Sequence, residues 1–369
     1  MPDIFSMISS GAITVVSFLL VLGLLVFVHE LGHFSVAKWA GIKVEEFGFG
    51  FPPRMVTLFK KGETEYTLNW LPLGGFVRMI GENGEEADDP RSFASKSKSW
   101  RAAVLVAGST MNMILPIFLF AFIAMTGVPD GDATGRVEVV AVEANTPAAE
   151  AGLEAGDEII FLGNQRVMNV SQLIELIQNF RDRDIVLDVE RDGEMIAFTM
   201  MPRQMDDSSQ IKIGVAIVDQ REIISYGPID AFVFGVKQTY SLFVLMIGGF
   251  SDLIGGLFNG STDSAAVTGP LGIMQVTGEI AQTGELRNLL NFAAYLSINL
   301  AIINMLPIPA LDGGRLIFVL LEALRGGKRI SPEREGLVHL VGMLLLLGLM
   351  AVISVFDLQR VLSGDSFLQ

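Results

Sequence analysis

The sequence predicts a polytopic α-helical membrane protein of about four transmembrane helices, with a membrane-associated β-hairpin region and one inserted α+β domain. Three observations carry this. Half of the 369 residues are hydrophobic and the mean hydropathy is +0.49. Stretches 4–28, 102–129 and 288–311 contain no Asp, Glu, Lys or Arg and are each 24 residues or longer, above the roughly 20 that cross a bilayer. A fourth uncharged run, 340–356, has 17 residues. Finally, residues 130–225 hold 8 basic and 19 acidic residues, a net of −11 out of −15 for the chain, which marks a water-facing insert. Cysteine is absent, so disulfides and thiolate metal sites are excluded, and any metal must be held by His and carboxylate.

The first run ends in Phe27-Val28-His29-Glu30-Leu31-Gly32-His33. Four residues apart on a helix, His29 and His33 project from one face roughly 6 Å apart along the axis, a spacing that lets both imidazoles reach one Zn²⁺. Glu30 then sits beside the metal, placed to take a proton from water. Two of the chain's three histidines lie in this motif. The alternative, a pair of polar residues near a membrane surface, is the weaker reading, because ionisable groups in an apolar helix are costly and functional by default. The run lacks a basic leader and a small-residue cleavage site, so it is expected to be retained.

The connection 35–101 carries ten Lys and Arg, and 312–335 carries five. The positive-inside rule makes both cytoplasmic, with the 130–225 insert outside and the His motif near the cytoplasmic face. Within 43–80, short aromatic and aliphatic stretches alternate with Pro52-Pro53, Lys60-Lys61-Gly62 and Pro72-Leu73-Gly74-Gly75, which predicts short strands. Such a sheet could dip toward the metal. Its edge is expected either along 65–70 or along 44–48.

In the insert, Val137–Val140 and Ile185–Val189 read as strands, and Ser171 is expected to cap a helix running to Phe180. The stretch Asn145–Ile160, with Pro147-Ala148-Ala149, Gly152 and Gly156-Asp157, resembles the bacterial PDZ signature. Gly163-Asn164 supplies a turn tolerant of positive φ. A PDZ-like domain is therefore expected over 130–205, between helices 1–2 with the hairpin (1–129) and helices 3–4 (288–369). The remaining 206–287 reads as a linker, in which the 14-residue uncharged run 238–251 forms an amphipathic interfacial helix rather than a span.

The third long run ends in Asn304-Met305-Leu306-Pro307-Ile308-Pro309-Ala310-Leu311-Asp312-Gly313-Gly314. Prolines two residues apart end a regular helix, and the loosened backbone can swing the Asp312 carboxylate inward. Two His and one carboxylate with a free fourth position is how catalytic zinc is built. Capping a helix over Gly313–Leu324 is the weaker reading of Asp312, and the residue could do both.

With His-Glu-Leu-Gly-His on the first helix and this second motif on the third, the chain resembles the site-2 protease family of intramembrane zinc metalloproteases, and within it the sigma-E regulator branch. The resemblance covers essentially the whole chain. It implies that His29, His33 and Asp312 ligate zinc, that Glu30 is the catalytic glutamate, and that Asn304 hydrogen-bonds the substrate backbone or oxyanion. Gly269-Pro270-Leu271-Gly272-Ile273 matches a further family segment. Two departures stand out. Ser109 replaces the proline of the family's Ala-Gly-Pro-x-x-Asn pattern in Ala107–Asn112, and the insert is too short for tandem PDZ domains.

The resemblance implies peptide hydrolysis in a bacterial inner membrane. The substrates would be single-span membrane proteins already shortened by an upstream protease, such as anti-sigma factors and signal-peptide remnants, with the PDZ-like domain filtering them. No nucleic-acid partner is expected. A zinc transporter and a non-proteolytic PDZ scaffold are the rival classes. The transporter lacks a polar path along the second and fourth helices beyond Asn112 and His339, and the scaffold has no use for Glu30. His339 matches no family site and reads as a packed or interfacial residue.

Overall fold

A computed structural model describes residues 4–363, apart from 83, 85, 87, 181–182, 205–210 and 260–268. It contains two compact units, one made of Met1–Ile123 with Gly227–Leu368, the other of Ala124–Tyr226.

The first unit begins with α1 (Ile4–Trp39), which stops before Gly41, a residue with φ of 68° that a side chain would strain. A β-hairpin follows, β1 (Val44–Lys61) and β2 (Thr64–Met79). Bulges let the start of β1 meet β2 twice: Phe47 faces both Val77 and Tyr66, Gly48 both Phe76 and Thr67, and Phe49 both Gly75 and Leu68. Residues 54–60 then pair with 65–69. The runs 46–49 and 65–68 are thus flanked on both sides, and the open edges are 54–61 and 75–79. Neither edge expected from the sequence, 65–70 or 44–48, is one, because the bulges fold the two strands into four paired runs. The inner end of the hairpin packs Val44, Phe47, Val77 and Met79 against Ala37, Val104 and Val319. Its far half is exposed, including Met55, Leu58 and Phe59.

Helix α2 (Lys98–Thr126) contains Pro116 and runs unbroken through Ser109. It leads into the second unit, which comprises β3 (Val128–Val142), α3 (Pro147–Ala151), β4 (Glu158–Leu162), β5 (Gln165–Arg166), α4 (Val170–Gln178), β6 (Ile185–Arg191), β7 (Glu194–Met200), β8 (Arg203–Gln204), β9 (Ile211–Lys212) and β10 (Val215–Ile224). The main sheet has the order β10-β3-β4-β6-β7, with β5 turned back on β4 through Gly163, at φ of 58°. Alternating inward residues Val137, Val139, Ile159, Leu187 and Val189 meet Leu173 and Ile177 of α4 in a sealed core, each large side chain contributing about 1.5–3 kcal/mol by leaving water. Helix α4 is capped by Asn169, whose side chain accepts from Gln172 N–H, rather than by Ser171. The unit also reaches past residue 205, because β10 pairs with β3 from Val215–Val142 to Ile224–Val128. A strand whose partner among the described residues lies 73 to 96 positions away looks like linker in the sequence.

The chain then returns to the first unit as α5 (Pro228–Asn259), α6 (Pro270–Gln282), α7 (Leu286–Asn304), α8 (Asp312–Leu324) and α9 (Pro332–Ser363). Among the described residues five helices, rather than four, are long and apolar enough to cross a membrane, within Ser10–Trp39, Lys98–Thr126, Pro228–Asp252, Leu286–Asn304 and Pro332–Arg360. The additional one is α5. The uncharged run 238–251 is only its middle, because Lys237 and Asp252 sit at exposed positions and do not end it. Its Gly235 passes so near α2 that a Cβ would lie 2.2 Å from Ile117 O, and Met246 packs on Met113, Ile298 and Ile302. Helix α6 opens on the Gly-Pro-Leu-Gly segment, where Gly269 and Gly272 N–H donate to the buried Asp357 of α9 at 3.2 and 3.0 Å.

Candidate metal centre

His29 and His33 stand one turn apart on α1, both buried. Their Nε2 atoms are 3.1 Å apart, and each faces Asp312 Oδ2, at 3.1 Å from His29 and 3.3 Å from His33. Donors held at about 2.0–2.1 Å from one tetrahedral zinc ion are separated by about 3.3–3.4 Å. The triangle matches that edge length to within a few tenths of an ångström. Two neutral imidazoles and one carboxylate are also a donor set suited to zinc, so these residues fit the ion.

The other ring nitrogens orient the lone pairs. His33 Nδ1 lies 2.7 Å from Val104 O, so N–H at that position donates to the carbonyl and leaves Nε2 free as a donor to metal. His29 Nδ1 is 3.4 Å from the carboxamide of Asn112. Turned with its oxygen toward the ring, that amide accepts from Nδ1–H and satisfies Oδ1, which otherwise has no hydrogen-bond partner among the described residues. The sequence placed Asn112 in a motif but gave it no task.

Two glycine sets make the approach possible. On α2, a Cβ at Gly108 would lie 2.4 Å from His33 Nε2 and 2.7 Å from His29 Nε2, so only hydrogen fits where the helix crosses the imidazoles. On α8, a Cβ at Gly313 would lie 2.3 Å from Leu306 O, and one at Gly314 2.2 Å from Ile308 O. The loop after α7 therefore folds back over the start of α8 and presents Asp312 as its first residue. The N-cap is Leu311, not Asp312.

Glu30 stands outside the donor triangle and borders the same cleft of about 150 Å³, together with Val77, Glu82 and Arg315. Val77 of the hairpin lines the cleft beside it, and a Cβ at Gly75 would lie in ordinary contact with its Cγ, at 3.6 Å. The open edge 75–79 of the hairpin thus runs along the cleft. Glu82 forms an ion pair with Arg315 at the same wall; neither residue stood out in the sequence, since both lie outside any recognisable spacing. Asn304 is the last residue of α7 and does not line this cleft.

Residues 17–349 match the pattern of Peptidase family M50. Zinc metalloprotease RasP of Oceanobacillus iheyensis is 31% identical over 434 residues, spanning 94% of this chain and 99% of the relative. The regulator of sigma-W protease RasP of Bacillus subtilis is 31% identical over 432 residues, spanning 94% and 98%. Among solved structures, the PDZ domain of an SdrC-like protein from Listeria monocytogenes overlaps 25% of this chain and 90% of its own length, at 21% identity and a TM-score of 0.21.

Proposed function

The chain belongs to peptidase family M50, the site-2 proteases, and is an intramembrane zinc metalloprotease; from that premise we propose that His29, His33 and Asp312 hold the zinc and that Glu30 is the general base. The observation that carries this assignment is the convergence of the three donor atoms within 4.8 Å of one another, with Glu30 on the same cleft but outside the set. Zinc bound there supplies Lewis acidity, polarising the scissile carbonyl and making water a nucleophile near neutral pH. Glu30 takes the proton from the attacking water and returns it to the departing amine. Val104 O and Asn112 hold the imidazoles in the ligating tautomer. Asn304 would contact substrate backbone only where the chain passes the end of α7.

A helical substrate hides its carbonyls in its own hydrogen bonds and must unwind before attack. The 75–79 edge, which borders Glu30, supports its capture as an added strand, with affinity from main-chain hydrogen bonds. The substrates we infer are single-span membrane proteins already shortened by another protease, anti-sigma factors and signal-peptide remnants among them; the sigma-W regulator name of the Bacillus relative supports the first class. The acidic unit Ala124–Tyr226 is taken as a PDZ-like filter on the outer side, with the zinc site near the cytoplasmic face, in keeping with the ten Lys and Arg of 35–101.

The test is co-expression of a truncated single-span substrate with the unaltered chain, Glu30→Gln and Asp312→Ala. Glu30→Gln should abolish cleavage with zinc retained, because an amide cannot accept the proton. Asp312→Ala should lose zinc. Cleavage by Glu30→Gln at the unaltered rate would remove the general-base role, and full zinc in Asp312→Ala would place the third ligand elsewhere.

A further inference from the structure

His339 of α9 lies seven residues past the start of that helix at Pro332 and outside the donor set, yet it touches the loop that delivers Asp312. Its Nδ1 accepts a hydrogen bond from Ala310 N–H at 2.9 Å. Ala310 has φ of 77°, a left-handed conformation that is strained for an alanine. It is also two residues before Asp312, and both line the metal cleft.

The surroundings leave the loop little alternative placement. A Cβ at Gly342, nearly one turn beyond His339, would lie 2.3 Å from Pro309 Cβ and 3.0 Å from its carbonyl carbon, so α9 lies directly on the loop. The His339 ring also packs beside Phe318 of α8, with centroids 5.3 Å apart. An imidazole that accepts at Nδ1 is neutral and carries its proton on Nε2. Ala310 N–H, on a loop with Pro307 and Pro309, has no helical carbonyl to take it.

We propose that His339 is a positioning residue for the zinc site: as a neutral acceptor it holds Ala310 in its left-handed conformation and thereby sets where Asp312 enters the donor triangle. The proposal rests on Asp312 being a ligand. It assigns the packed histidine a role that acts through the loop backbone, with no contact to metal or substrate.

The test uses the full chain purified in detergent, with zinc affinity measured by chelator competition, the visible spectrum of the cobalt-substituted protein, and cleavage kinetics on a truncated single-span substrate. His339→Phe keeps a ring against Phe318 but removes the acceptor, and His339→Leu removes the ring as well. Both should weaken zinc about 10–100-fold, as loss of an orienting partner does, perturb the cobalt spectrum, and lower kcat with KM little changed. His339→Asn places an acceptor near the Nδ1 position and should recover most of the loss. Ala310→Gly, which tolerates the left-handed backbone, should be nearly silent alone and should lessen the effect of His339→Phe. Unchanged zinc affinity and cobalt spectrum in His339→Phe would overturn the proposal, as would an Asn variant as impaired as Phe. Asp312→Ala separates the two readings: zinc retained there removes the ligand assignment, whereas zinc lost there but kept in His339→Phe removes only the role of His339.

Discussion

Replacing Gly108 with alanine adds one methyl group at the point where α2 crosses the two imidazoles. That Cβ would lie 2.4 Å from His33 Nε2, 2.6 Å from His29 Cε1 and 2.7 Å from His29 Nε2. Ordinary contact begins near 3.4 Å, so the helix must retreat by about 1 Å or the rings must turn by a similar distance. Retreat would give up close packing on the same helix pair, where Gly32 of α1 lies so near α2 that a Cβ there would meet Ala107 O at 2.3 Å. The rings are therefore expected to yield, opening a donor triangle whose sides are now 3.1–3.3 Å. Overpacking of this kind costs about 1–3 kcal/mol, and a displacement near 1 Å at a reacting centre costs about 10²-fold in rate. Zinc content and cleavage of a truncated single-span substrate should both fall in Gly108→Ala. Gly11→Ala on α1, where nothing lies within 4 Å of the new Cβ, is the matched control and should leave both unchanged. Full zinc and full cleavage in Gly108→Ala would refute the described crossing of α2 over the imidazoles.

Proline scanning of the hairpin should separate its edges: substitution at Phe76 or Arg78, on the edge along the cleft, is expected to collapse cleavage with zinc retained, whereas proline at Leu58 on the far edge should be mild. The reverse pattern would mean that substrate is not held along 75–79. Replacing residues 124–226 by a short linker should leave zinc bound and broaden cleavage toward proteins with uncut ectodomains; unchanged discrimination would locate the filter in the membrane unit. In the inserted unit, burial works against ionising Asp157, but Arg191 donates to it at 2.6 and 2.8 Å and Glu154 N–H at 2.9 Å, holding its carboxyl below the ordinary value. A depressed carboxylate contributes stability that is present above its unfolded pKa of about 4 and lost as pH falls below it. Pepsin nicking within 124–226 of the full chain should therefore rise as pH drops from about 4 toward 2, and Asp157→Asn should already be sensitive at pH 4; equal resistance of the two proteins at pH 4 would count against the ion pair.

Sequence alone determined what depends on neighbours within a turn or two. The four-residue spacing of His29 and His33 put both imidazoles on one helix face, the uncharged runs marked most of the apolar helices, and Pro307 and Pro309 ended α7 at Asn304. Tertiary structure decided what depends on partners far along the chain. Bulges paired 46–49 with two separate runs of β2 and moved the open edge to 75–79. Pairing with β3 drew Val215–Ile224 into the inserted unit. Exposed positions for Lys237 and Asp252 allowed α5 to continue past charges that looked like its ends. The same holds at the centre, where Gly108, Asn112 and Val104 come from α2 and His339 from α9. Periodicity records which face of an element is apolar, but not which other element meets that face, at what register, or how closely. Those are set by packing and hydrogen bonding between segments that lie from 19 positions apart, as Phe49 and Leu68, to 283 apart, as His29 and Asp312; Val104 O and His33 Nδ1 are separated by 71 positions.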